Sequence, residues 1–132
     1  MMKKLILILS LMVTSLSWAG ETPSVEVAKS WLGGIDAGLY EQSWDEASAL
    51  FQEQITKEQW RDIIKAVRAP LGEVISRNEL GRQSFTSLPG APEGEYLVLQ
   101  FNTEFANKAG AVETLTLSKN GDKWQAVGCF IK

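Results

Sequence analysis

Between Gly94 and Phe105 the chain alternates. Leu97, Leu99, Phe101 and Phe105 recur at every second position with Thr103 in the remaining slot, and Tyr96, Val98, Gln100, Asn102 and Glu104 take the places between. A period of two gives an extended chain one apolar face and one mixed face, so this stretch predicts a long antiparallel strand half buried against a core. Upstream the period changes to that of a helix. Val27, Ala28, Trp31, Leu32 and Ile35 form one stripe, opened near Pro23, weakened by Gly33 and Gly34, and ended by Gly38. Tyr40, Trp44, Ala47, Phe51 and Ile55 form a second stripe, backed by a solvated face of Glu41, Gln42, Asp45, Glu46, Gln52 and Glu53. A third helix opens on Thr56, whose partner three residues on is Gln59, the capping-box spacing that satisfies two free backbone amides. Trp60, Ile63, Ile64 and Val67 then follow at helical spacing until Pro70 and Gly72 stop it.

Downstream the pattern predicts strands. Glu73 to Leu80 reads as one, Gly81 as a bulge or bend, and Gln83 to Leu88 as a continuation of the same ribbon. Leu88 to Gly94 is a turn by composition, and Asn107 to Gly110 a loop. Asn120-Gly121 is a strong hairpin signal because both residues accept positive φ. The predicted architecture is α+β: three N-terminal helices packed on one face of a curved antiparallel sheet of about four strands.

If Asn120 and Gly121 form the hairpin loop, Leu117 faces Trp124, Leu115 faces Ala126, Glu113 faces Gly128 and Ala111 faces Phe130, all on one side of the sheet. Glu113 then sits alone among apolar residues. A buried carboxylate without a partner costs several kcal/mol or becomes protonated. Arginines are the natural partners, and Arg68 at the end of the third helix and Arg77 on the first strand are placed to point inward. A cluster of Arg68, Arg77 and Glu113 is therefore expected, either as a buried ion pair holding the third helix on the sheet or as the wall of a ligand site. The opposite side of the sheet carries Tyr96, Val98, Val112, Val127, Cys129 and Ile131. That is apolar for a solvated face, and it predicts either a homodimer through the sheet or cover from the chain itself, by its own terminus or by Gln83 to Leu88.

Charge and composition narrow the functional classes. The chain has 132 residues, no histidine, a single cysteine (Cys129) and a net charge of −3. Lys3 and Lys4, the apolar run Leu5 to Val13, and Ser17-Trp18-Ala19 have the form of a secretory signal peptide cleaved after Ala19. The run is too short to span a membrane. Residues 1–19 are thus read as leader and 20–132 as one α+β domain, a mature chain of 132 − 19 = 113 residues with a charge of −3 − 2 = −5. An acidic exported protein of this kind is a poor partner for nucleic acid or anionic lipid, and a bacterial periplasm is the expected compartment. One cysteine cannot form an internal disulfide, so the core stands without one.

The missing histidine removes Ser-His-Asp and Cys-His nucleophile systems and most transition-metal sites. No phosphate-binding glycine loop or calcium loop is present, and no cofactor or metal is expected. Glu93 and Glu95 flank Gly94 in a turn, where solvation explains them. Asp36 and Tyr40 have a spacing that suits a carboxylate base and a phenol donor, although a helix-end polar residue beside a core aromatic explains them as well. Trp31, Trp44, Trp60 and Trp124 each fall in a core stripe, with room for one wall of a cavity.

Taken together, Trp31, Asp36 to Tyr40, Ser43-Trp44, Gln59-Trp60, Arg68 to Gly72 and Arg77, followed by Leu88-Pro89-Gly90, Gly94 to Tyr96, Phe105, Glu113-Thr114, Trp124 and Gly128 to Ile131, resemble a family of small exported bacterial proteins, domain of unknown function 4019. The resemblance spans nearly the whole chain after the leader. It implies the cystatin-like, nuclear-transport-factor-two-like cone and carries no established activity, substrate or catalytic residue. The family pattern favours an aromatic residue where this chain has Cys129, so it implies no thiol mechanism. Three functions fit these observations, in this order: a non-enzymatic periplasmic binding or interaction module; a histidine-free enzyme with Asp36 or Glu113 as acid–base and Tyr40 or Tyr96 as donor; and an inhibitor or immunity-type protein that meets a basic target through Glu41, Asp45, Glu46 and Glu53.

Overall fold

A computed structural model describes residues 23–132. The expected leader and its cleavage point lie outside the described residues. Four helices come first: α1 (Pro23–Asp36), α2 (Tyr40–Glu46), α3 (Ala49–Gln54) and α4 (Lys57–Arg68), the last running into a short 3-10 turn (Ala69–Leu71). Four antiparallel strands follow, β1 (Val74–Phe85), β2 (Glu95–Phe105), β3 (Lys108–Asn120) and β4 (Lys123–Ile131), and they pair in chain order. The class is α+β, with the helices preceding the sheet.

The helix ends follow local chemistry. Gly38 has φ 80 and ends α1 with paired return bonds, Gly38 N–H to Ile35 O at 2.9 Å and Leu39 N–H to Gly34 O at 2.9 Å. This is the left-handed cap that glycine adopts without a Cβ penalty. At α4 the capping box forms in full: Thr56 Oγ1 accepts from Gln59 N–H at 3.1 Å, and Gln59 Oε1 accepts from Thr56 N–H at 3.1 Å.

The second expected helix is two helices. Ala47 is extended (ψ 168), and Ser48 N–H leaves the helical ladder to donate to Ala126 O on β4 at 2.8 Å. Ser48 then caps α3, its Oγ accepting from Phe51 N–H at 3.2 Å. The break exchanges one intrahelical bond for a bond to the sheet, and the side-chain cap makes the restart favourable. The stripe itself holds across the break, because Ala47 and Phe51 are both in the core.

The core lies between the helices and the inner side of β2–β4. Trp31, Leu32 and Ile35 from α1, Phe51 from α3 and Trp60 and Ile64 from α4 meet Leu97, Leu99, Phe101, Leu115, Leu117 and Ala126. Trp31 and Trp60 stack with centroids 6.0 Å apart, and Phe51 meets Trp60 edge-on at 4.9 Å. The two indoles are satisfied at Ser43 of α2: Trp31 Nε1–H donates to its backbone oxygen and Trp60 Nε1–H to its hydroxyl, each at 2.8 Å. Trp44 reaches Ile55 O at 2.9 Å. A buried indole needs such an acceptor, and this small domain supplies three.

The sheet departs from the expected pairing at the hairpin. The loop is Gly121–Asp122, with Asn120 opposite Lys123, so Lys119 faces Trp124 and Leu117 faces Ala126. Gly121 alone has positive φ (62), the requirement of a hairpin turn with glycine at its first loop position. This displaces the register by two residues, which preserves faces, and Trp124 and Ala126 stay on the inner side. Beyond Ala126 a bulge places Val127 and Gly128 together opposite Thr116. One extra residue reverses every later side chain. Cys129 therefore faces Leu115 and Ile131 faces Glu113, on the inner side, while Phe130 faces Thr114 and is 58% exposed. The expected outward placement of Cys129 and Ile131, and inward placement of Phe130, is corrected by this bulge. On β1, register shifts flank Ile75 and Leu80, the second beside Gly81 as expected, and the strand runs on to Phe85. Gln83 to Phe85 therefore extend the sheet beside Val98 and Tyr96 and do not cover its face. The expected loop at Asn107 to Gly110 is shorter: Phe105 already pairs with Lys108.

Candidate functional site

Four charged side chains from four elements meet on the inner side of the sheet. Asp36 is the last residue of α1, and Arg68 the last of α4. Arg77 lies on β1 opposite Thr103, and Glu113 on β3 opposite Phe101. Arg77 is the bridge. Its Nε–H donates to Glu113 Oε1 at 2.7 Å and its Nη2 to Glu113 Oε2 at 3.2 Å, while Nη1 reaches Asp36 Oδ2 at 2.7 Å and Nη2 reaches Asp36 Oδ1 at 3.0 Å. One guanidinium thus engages both oxygens of two carboxylates, a task its planar fork suits and an ammonium does not. Arg68 Nη2 donates to Asp36 Oδ1 at 2.5 Å, and the Arg68 guanidinium lies over the Phe105 ring at 5.0 Å. Thr103 donates its hydroxyl to Glu113 Oε1. Two cations and two anions balance.

Burial makes this network decisive for stability. Glu113 is fully buried and Arg68 is 7% exposed. Burial works against the charged form of Arg77, but its hydrogen bonds to Asp36 and Glu113 outweigh that and raise its pKa. Burial likewise works to raise the Asp36 pKa, and the hydrogen bonds from Arg77 and Arg68 overcome it and hold the carboxyl below its ordinary value. The buried Nε of Arg68 has no hydrogen-bond partner among the described residues.

The expected meeting of Arg77 with Glu113 is present. Arg68 joins through Asp36, and no direct Arg68–Glu113 bond is made among the described contacts. Asp36 and Thr103 are members that sequence reasoning did not place in the cluster. Spacing in the chain pairs Asp36 with Tyr40, but in the fold both Asp36 oxygens face arginines, while Tyr40 packs against the core and its carbonyl accepts from Ser43 Oγ at 2.6 Å. The signal for Thr103 was available: it fills a core slot in the β2 alternation where every neighbour is apolar.

The expected sheet-face patch is reduced. Val98 and Val127 remain half-buried on the outer side, joined by Val112 and Phe130. Tyr96 is buried, with its hydroxyl donating to Pro92 O in the β1–β2 loop. Cys129 packs against the core, and burial, with Glu113 nearby, pushes its thiol up to about 12. On the acidic helix face, Glu41 pairs with Arg61 at 3.1 Å, Asp45 with Lys57 at 2.7 Å, and Glu46 accepts from Gln42 at 2.9 Å. Among the described residues no cluster of three or more His, Cys, Asp or Glu is placed to hold a metal ion, and no helix is long and apolar enough to cross a membrane.

The sequence profile of the family described as Protein of unknown function (DUF4019) matches residues 27–129. The match spans most of the chain, and the chain belongs to that family. No curated protein matches it.

Proposed function

We propose that this DUF4019 protein is an exported, periplasmic, non-enzymatic interaction module whose charged cluster is a structural clasp and whose outer sheet face is its first contact surface. The observation that carries the reading is the closure of the cluster. Glu113 receives Thr103 and two Arg77 nitrogens, and Asp36 receives Arg68 and Arg77. A general acid or base needs a proton exchangeable with substrate, and carboxylates saturated by guanidinium are poorly suited to that. This weighs against the histidine-free enzyme. The internal pairing of Glu41 and Asp45 similarly weakens the inhibitor or immunity alternative. The outer face offers Val98, Val112, Val127 and Phe130 on the side of the sheet away from the core that the described helices pack on, a surface of the kind that pairs with a second copy.

The test is the mass of the exported protein in solution by light scattering. A dimer unchanged by reductant and dissociated by Val98→Glu with Phe130→Glu supports the proposal. A monomer at every concentration overturns the sheet interface. A dimer lost on reduction would place Cys129 at the surface and overturn its assignment to the inner side.

A further inference from the structure

A cleft of about 640 Å³ opens between the first two turns of α1, the end of α2 and the start of β4, away from the ion network and from the outer sheet face. Its size falls in the range of clefts that take drug-sized ligands. Val27, Trp31 and Trp124 form apolar walls, and Glu26, Asp45 and Glu46 stand against a single lysine, Lys123. Asp45 and Glu46 are held in place by Lys57 and Gln42, whereas Glu26 and Lys123 have no ion-pair partner among the described residues. Trp124 also lines a second cleft, and Lys119, which lies 5.9 Å from its ring centroid, lines that second cleft and not this one. Lys119 thus belongs to the second cleft, and the larger cleft sets indole surface beside three carboxylates and one lysine, Lys123, a lining with an excess of negative charge.

From this arrangement we infer that the cleft binds a short basic peptide segment, with a lysine or arginine head on Glu26 and Glu46 and its stem along Trp124 and Val27. Indole surface next to carboxylates favours a cation that carries methylenes, because the stem buries apolar area while the head keeps its charge partners. The charge excess of the lining is complementary to a basic occupant and unfavourable to an acidic one. Ser30 and Gln125 in the lining supply hydrogen-bonding groups for peptide amides, which a simple polyamine does not have.

The probe is trilysine, titrated into the protein with tryptophan fluorescence and calorimetry as readouts, against spermidine and triglutamate. The expected result is saturable binding of trilysine, weakened at least about tenfold by Glu26→Gln with Glu46→Gln and unchanged by Glu53→Gln with Glu58→Gln, which remove the same charge from another part of the surface. Both pairs are exposed, so the folded state tolerates them. Absence of binding overturns the inference. So does equal weakening by the two pairs, which would make the attraction one of net charge. Spermidine binding as tight as trilysine overturns the assignment to a peptide.

Discussion

Arg77 is the residue on which the charged cluster depends, because it alone touches both carboxylates. Replacing it with methionine fills similar volume but leaves Glu113 buried without a cation, the situation that costs about 3–5 kcal/mol when one partner of a buried pair is removed. We expect Arg77→Met to lose that much in urea unfolding, a large share of a domain's total of about 5–15 kcal/mol. Adding Glu113→Gln should recover part of it, and a double variant that is simply additive would show that the two groups do not interact. Asp36 contributes an acid-side pH dependence. Its folded pKa lies below its unfolded value, so its contribution is full above the unfolded value of about 3.9 and is lost as pH falls through the lower, folded one. Unfolding free energy should therefore fall from about pH 4 downward, and Asp36→Asn should flatten that part of the profile. A variant with the same acid slope would exclude Asp36 as its source. The existence of this cluster was legible at Glu113, because a carboxylate among core positions demands a cation. The membership of Asp36 was not, because its neighbours in the chain point to Tyr40 and only the tertiary fold brings the end of α1 within reach of Arg68 on α4 and Arg77 on β1.

Elements were legible where the pattern was long and the stop signal strong. The β2 alternation, the α4 capping box and the Gly38 terminator all appear as read. The hairpin misreading is local, a choice of turn type at Gly121, and two others are single-residue events with tertiary causes. Ser48 interrupts the helix, though not its apolar stripe, because its amide donates to Ala126 O, and Val127 inserts a bulge that no local alternation announces, since Gly128 looks like an ordinary small strand residue. The α1 helix carries its own weakness. Gly33 and Gly34 lie inside it without positive φ, and a Cβ at either would meet nothing within 4 Å. Glycine in a helix interior is less favourable than alanine by roughly 0.5–1 kcal/mol, through its greater freedom when unfolded. Gly33→Ala should raise stability by about that amount in thermal or urea unfolding. A loss instead would mean that the methyl meets a group brought there by association, and Gly33 would become a contact residue.

At the scale of the molecule, helices and sheet are joined by few but deep connections: the clasp from Arg77 to Asp36, the amide of Ser48 on β4, and the indoles of Trp31 and Trp60 anchored on Ser43. They tie every helix to the sheet or to another helix, so the layers are expected to separate together and not one at a time. Cys129 reports on this. It lies on the edge strand β4, but the bulge turns it toward Leu115 and the core, and burial pushes its thiol up to about 12. Thiolate is the reactive form, so the folded protein at pH 8 should react with a disulfide reagent far more slowly than an unfolded chain whose thiol has a pKa of about 8.5. Labelling then requires opening, and its rate follows the free energy of the smallest opening that frees the thiol. If helices and sheet open as one unit, Arg77→Met, on the opposite edge of the sheet, should accelerate Cys129 labelling by the same free energy that it removes from global stability. Each 1.4 kcal/mol of that loss corresponds to about a tenfold rate increase. Fast labelling of the wild-type protein, unaffected by Arg77→Met, would mean that β4 frays independently and that the clasp holds only α1, α4 and the β1 side of the sheet.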